Sequence, residues 1–159
     1  MWGFLVIHIG GIMAIERTFF MIKPDGVKRY LSNLLLSKII DSGYKILIRR
    51  RVVLTNEQAK NLYSIHKGKP FYDGLIKFIT SGPVILTVIE GENAVQKVRD
   101  MMGATDPRIA VAGTFRGDNI GDPLLSEEGI LMNLCHGSDS LESAKKEIAI
   151  FFNEKDLNK

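Results

Sequence analysis

Short runs of apolar, β-branched and aromatic residues punctuate this chain, and between them apolar positions recur every three or four residues. The first pattern predicts buried strands and the second amphipathic helices. Glu16–Ile22 predicts a strand ending at the turn Lys23-Pro24-Asp25-Gly26. Leu31, Leu34, Leu35, Ile39 and Ile40 fall at helical spacing, and Gly43 stops that helix. Tyr44–Leu54 predicts a second strand, with Arg49, Arg50 and Arg51 near its exposed end. Thr55 and Gln58 form a capping-box pattern at the start of the next helix. Another helix is expected over Tyr72–Thr80, broken by Ser81-Gly82-Pro83 before a third, β-branched strand over Val84–Ile89. Asn93–Met102 predicts a helix, Gly103–Gly117 a long loop, Gly129–Cys135 a fourth strand and Glu142–Phe152 a final helix. This order fits a four-stranded α+β sandwich with helices packed on the sheet, and equally other two-layer α/β folds.

Composition narrows the picture. A chain of 159 residues with 45% hydrophobic and 25% charged residues is one ordinary globular domain with room for a sizeable core. The net charge of +3 suits polyanionic small molecules and is too mild to argue for nucleic acid. Cys135 is the sole cysteine, so no intrachain disulfide forms and an intracellular, cytoplasmic setting is expected. Met1–Ile12 is apolar but too short to span a membrane and lacks a basic start. It is expected to be an upstream extension, with Met13 opening the single domain that runs to Lys159.

His136 is the main candidate for chemistry. It follows the expected fourth strand and precedes a helix start, where Ser138, Asp139 and Ser140 are N-cap candidates. A helix start attracts anions, and imidazole there can act as nucleophile, acid or base on phosphate. The alternative is a histidine packed at a strand end beside capping serines. No Walker-type loop, Gly-x-Gly-x-x-Gly segment or zinc-ligand cluster occurs, so scattered cations and amides must hold any bound phosphate. Lys23 ends the first strand, and Arg99, Thr105 and Arg116 lie in or beside the long loop. Each is singly compatible with an ordinary surface role; together they offer forked and hydroxyl donors. Phe71 is a candidate platform for a base or a core residue, and Tyr63 and His66 share one helix face if the helix reaches them. Glu147 lies about three helical turns beyond His136, a spacing that leaves their contact open.

Several blocks, in order, resemble those of the nucleoside diphosphate kinases: Glu16-Arg-Thr-Phe, Ile22-Lys-Pro-Asp-Gly-Val, Lys69-Pro-Phe-Tyr and Ser81-Gly-Pro-Val. Met102-Gly-Ala-Thr-Asp-Pro, Gly113-Thr-Phe-Arg-Gly-Asp and Asn133-x-x-His-Gly-Ser-Asp-Ser continue the series, so the resemblance covers about Glu16 to Phe152. It implies a ferredoxin-like βαββαβ core and ping-pong transfer of a γ-phosphate from a nucleoside triphosphate to a diphosphate. His136 would become a phosphohistidine, and Glu147 would hydrogen-bond its other ring nitrogen, with Ser138 in the same network. Lys23 and Asn133 would bind near the sugar hydroxyl and the phosphates, with Tyr63 close by. His66, Arg99, Thr105 and Arg116 would grip phosphate, and Phe71 would stack on the base. Mg2+ would arrive on the nucleotide, since no carboxylate cage is visible. The family also implies a homo-oligomer, hexamer or tetramer.

Two departures stand out. Asn119–Met132 is roughly twice as long as the corresponding family segment, with turn signals around Gly121-Asp122-Pro123 and an acidic tip at Ser126-Glu127-Glu128-Gly129. It is expected either to alter base access or to be a tolerated surface insertion. Ala112 replaces a usual proline. The competing functions are a catalytically silent regulatory relative and a ferredoxin-like nucleic-acid-binding module. The intact motif residues oppose the first, and the lack of a basic-aromatic strand motif opposes the second.

Overall fold

In the computed structural model, the backbone is described for residues 3–8 and 11–158, and the side chains for 14–158. Strand β2 (Gly11–Ile22) is the hub. Phe19 and Met21 face one side of the sheet and Phe20 and Ile22 the other, and all four are fully buried. Both faces are therefore covered by helices, and Thr18–Ile22 reads as a continuous core run without polar alternation.

After β2 come α1 (Pro24–Lys28), α2 (Ser32–Asp41) and β3 (Lys45–Val52). Then follow α3 (Asn56–Leu62), a 3-10 turn (Ser64–His66), α4 (Tyr72–Ile79), β4 (Val84–Glu92) and α5 (Ala94–Met102). The chain closes with α6 (Phe115–Asp118), β5 (Cys135–Gly137), α7 (Leu141–Phe151) and α8 (Glu154–Leu157). β4 pairs antiparallel with both β2 and β3, and β5 pairs antiparallel with the other edge of β2. The resulting order β5–β2–β4–β3 interleaves two split βαβ units, the expected ferredoxin-like α+β arrangement. A further strand, β1 (Gly3–His8), pairs antiparallel with the first half of β2, on the edge that β5 uses farther along. Most of the stretch read as an apolar extension thus contributes backbone to the sheet; Met1, Trp2, Ile9 and Gly10 lie outside the described residues.

One core layer joins Phe19 and Met21 to Leu62, Tyr72, Ile76 and Ile148 from α3, α4 and α7. The other joins Phe20 and Ile22 to Leu35, Ile39, Val98 and Met102 from α2 and α5. Each fully buried side chain of this size contributes about 1.5–3 kcal/mol by leaving water. The cap signals act as their chemistry requires: Thr55 and Gln58 exchange both capping-box bonds, at 3.1 and 3.0 Å. Gly43 takes a φ of 94°, a left-handed value open to glycine without a Cβ clash.

Two expected elements need correction. The long loop does not stay irregular to Gly117, because Thr114 caps α6 through the Gly117 amide at 3.1 Å. More consequentially, Gly129–Cys135 is not a strand. The only regular strand there is Cys135–Gly137, which places His136 inside β5, opposite Met21. Leu134 breaks the extended path with a φ of 75°. Ser140, not Ser138 or Asp139, caps the last helix, accepting the Ser143 N–H at 3.0 Å.

Candidate active site

Directly paired residues in an antiparallel ladder share a sheet face, so His136 stands on the face of Phe19 and Met21, beneath α7. Its ring lies 5.9 Å from Phe19 and 5.6 Å from Tyr63, edge-on to the latter. Glu147, one residue before the core anchor Ile148, reaches down from α7 so that Nε2 of His136 and its Oε1 are 2.6 Å apart. A carboxylate only accepts, so Nε2 carries the proton and Nδ1 of the neutral ring keeps a free lone pair. Ser138, two residues along and fully buried, donates to the same Oε1 at 3.0 Å. Its hydroxyl in turn accepts the Phe19 N–H at 3.3 Å. The imidazole is thus fixed in orientation and tautomer by the sheet and α7 together.

Cations gather beside it. Lys23, the residue joining β2 to α1, is almost buried and donates to Asn133 Oδ1 at 2.8 Å, while Asn133 Nδ2 donates to the Thr105 carbonyl at 2.9 Å. Burial, reinforced by the Arg116 guanidinium, lowers the Lys23 ammonium to about 8, with Asp25 and Cys135 acting against the fall. Arg116, also buried, donates to the carbonyls of Asn133, Gly103 and Cys135 at 2.9, 3.1 and 2.7 Å. Burial holds its guanidinium below the ordinary value. Arg99 is exposed on α5 and donates to the Gly137 carbonyl at 3.3 Å. Thr105 lies exposed where the loop passes Asn133.

The aromatic wall comes from the segment joining α3 to α4. Tyr63 is buried, its hydroxyl has no hydrogen-bond partner, and burial raises its proton affinity. His66 stacks at 6.1 Å on Tyr63 and meets the edge of Phe71 at 5.3 Å. Burial first, then the Lys69 ammonium 3.3 Å from Nδ1, lowers the His66 pKa. Phe71 opens α4 with 44% of its surface exposed, an apolar ring left facing outward. His66 and Phe71 are not on one continuous helix with Tyr63, since α3 ends at Leu62 and a 3-10 turn intervenes.

The long segment 119–132 folds as a small hairpin, with Ser126 N–H to Ile130 carbonyl and Met132 N–H to Leu124 carbonyl both at 2.8 Å. Its tip seats on α4: a Cβ at Gly74 would stand 3.2 Å from the Glu128 carbonyl and 3.4 Å from Ile130. Gly74 is one helical turn from Phe71, so the insertion lies beside the aromatic wall. Two structural partners of the site escaped sequence reasoning. Asp25 reads there as a turn residue, and nothing in the sequence marks Leu134 as left-handed.

The arrangement can present a fixed imidazole lone pair to an electrophile surrounded by buried cations, the equipment of phosphoryl transfer. Comparisons agree. The family model for nucleoside diphosphate kinase matches residues 16–157. A halophilic nucleoside diphosphate kinase from Halobacterium salinarum, solved with CDP, is 42% identical, with 91% of each chain covered and a TM-score of 0.81. A Borrelia burgdorferi nucleoside-diphosphate kinase, solved as a transition-state mimic with vanadate and ADP, is 30% identical over 91% of each chain at a TM-score of 0.82. The NDP kinase of Pyrobaculum aerophilum is 29% identical, over 91% of this chain and 100% of its own, at a TM-score of 0.82. With the blocks in order, the imidazole inside β5 and a family match across nearly the whole chain, this protein belongs to the nucleoside diphosphate kinase family.

Proposed function

We propose that this enzyme moves the γ-phosphate of a nucleoside triphosphate to a nucleoside diphosphate through a phosphohistidine at His136. The observation that carries this reading is the Nε2–Glu147 hydrogen bond of 2.6 Å, which leaves Nδ1 as the open nucleophile. In the first half-reaction the Nδ1 lone pair attacks the γ-phosphorus in line. The bond to the β–γ bridging oxygen breaks, and the nucleoside diphosphate leaves with that electron pair. Glu147 stabilises the positive charge that develops on the ring. The second half-reaction reverses these steps with a different diphosphate in the same place. Lys23, Arg99, Arg116 and Thr105, with His66, neutralise and orient the phosphates. Asn133 supports Lys23 and the sugar end. Tyr63 stands edge-on to the His136 ring and in this reading lines the nucleotide site. Phe71 offers the face on which any base stacks.

Among the described residues, no group of three or more His, Cys, Asp or Glu could hold a metal ion. In this reading Mg2+ enters as part of the nucleotide, where it screens phosphate charge. We infer further that the chain works as a cytoplasmic homo-oligomer, hexamer or tetramer. Ile109 and Val111 are 73% and 69% exposed and Tyr30 is 92% exposed, apolar side chains that a neighbouring subunit would cover in this reading. Among the described residues no helix is long and apolar enough to cross a membrane. In this reading residues 13–159 form the single domain, to whose sheet β1 and the first residues of β2 add backbone. Initial rates at varied donor and acceptor concentrations test it. Parallel double-reciprocal lines, with ATP–ADP exchange in the absence of an acceptor, are expected. Intersecting lines without exchange would contradict the covalent route.

A further inference from the structure

Between Asn133, which holds Lys23, and Cys135, which leads into β5, the chain turns at Leu134 with a φ of 75°. A branched, buried residue enters that left-handed region only when its surroundings hold it there. They do so from two sides. From α1, Asp25 Oδ2 accepts the Leu134 N–H at 3.0 Å, and the Lys23 N–H donates to the Leu134 carbonyl at 2.8 Å. From the other side, the Arg116 guanidinium holds the carbonyls flanking this residue, on Asn133 and Cys135. Gly26 lets α1 approach: a Cβ there would lie 3.0 Å from the Leu134 carbonyl oxygen and 2.8 Å from Ile22 Cγ2. The second Asp25 oxygen, Oδ1, is buried without a hydrogen-bond partner, and the carboxylate attracts both buried cations of the site, Lys23 and Arg116.

We propose that Asp25 is a positioning residue for phosphoryl transfer, holding the Leu134 turn that sets His136 opposite Met21 and balancing the charge of Lys23 and Arg116. Asp25 acts through these neighbours and makes no contact with the His136 ring. The proposal rests on the reading of His136 as the phosphate carrier. Without the turn, the apolar run Gly129–Cys135 would be free to continue as the strand its sequence pattern suggests. A one-residue slip in β5 would move the imidazole to the opposite face of the sheet.

Asp25→Ala removes both the acceptor and the charge, and is expected to lower the melting temperature as well as the rate. The discriminating variant is Asp25→Asn. It keeps the size and an oxygen for the Leu134 N–H, but puts an NH2 where the unpaired oxygen was. In the full-length enzyme mixed with ATP and Mg2+, Asp25→Asn is expected to slow phosphorylation of His136 by about tenfold at neutral pH. The alkaline limb of its pH–rate profile should move to lower pH. The charged and titratable groups facing Lys23 are Asp25 from α1, Arg116 from α6 and Cys135 from β5, with His66 also feeling its charge. Removing Asp25 subtracts a group that helps Lys23 keep its proton. A wild-type rate and pH profile in folded Asp25→Asn would overturn the role of Asp25 while leaving the phosphohistidine intact. Wild-type enzyme that carries no phosphate on His136 would instead overturn the reading beneath it. A purely structural role for Asp25 predicts a lowered melting temperature with no shift of the alkaline limb, and that result too would refute the proposal.

Discussion

The two ends of this site are built differently. At the phosphate end, Lys23, Arg116, Asn133 and Ser138 are buried and already hydrogen-bonded to one another or to the backbone. At the base end, Phe71 is nearly half exposed and is flanked by the edge of His66 and by the Lys69 ammonium 5.9 Å from its ring centre. Donors fixed before the substrate arrives do not have to reorganise as charge moves in the transition state, and this is where electrostatic catalysis gains most. A single exposed ring reads no hydrogen-bond edge and accepts any base by stacking. Under the proposed roles, chemistry is strict where the donors are buried and held, and base recognition is tolerant where Phe71 is open.

Substitutions can break that contrast, beginning at its centre. His136→Ala removes the nucleophile and is expected to lower kcat by about 10⁵-fold or more. A coupled assay that showed only a tenfold loss would move the covalent step elsewhere. Glu147→Gln leaves the ring less firmly oriented and should cost about 10²-fold in kcat, with KM for nucleotide little changed. A change confined to KM would place Glu147 in binding instead. At the base end the expected effect is smaller and of the opposite kind: Phe71→Ala should raise KM about tenfold for every nucleotide while kcat stays within a few-fold.

A pH series sharpens the same comparison. Burial lowers the Lys23 pKa to about 8, so under its proposed role the hold of the free enzyme on phosphate is expected below that value and fades above it. In wild type, kcat/KM should decline on that alkaline side. Lys23→Arg, which stays charged, should be less active at neutral pH but show no such decline. The smallest effect is expected from shortening the 119–132 hairpin. Because its tip rests on α4 one turn from Phe71, relative rates on different nucleotides should shift a few-fold with the chemistry retained. Unchanged relative rates would make the hairpin a tolerated surface insertion.

Much of this fold was legible because local signals agreed with tertiary demands. The Thr55–Gln58 box, the Gly43 stop and the buried run to Ile22 all sit where their physics puts them. The Gly129–Cys135 run departs from the strand its pattern predicts because its apolar composition says buried but not extended. Ile130 packs on the core from a hairpin, and Leu134 is turned by Asp25, more than a hundred residues away in sequence. The distance between His136 and Glu147 was illegible for a related reason. It depends on how α7 lies across β2 and β5, which no spacing encodes. Arg116 is visible as a forked cation, but its triple grip on backbone carbonyls is not, since Gly103 and the pair Asn133 and Cys135 lie on opposite sides of it in sequence and only the fold brings them together.

The central claim is that Glu147 holds the Nε2 proton and so directs phosphate to Nδ1 of His136. Nitrogen-resolved NMR of the isolated phosphoenzyme, formed with ATP and Mg2+ and discharged by GDP, tests it most directly. The structure predicts one phosphoryl group, on Nδ1 of His136, lost to GDP as GTP forms. Phosphate on Nε2, on another residue, or resistant to GDP would contradict the account.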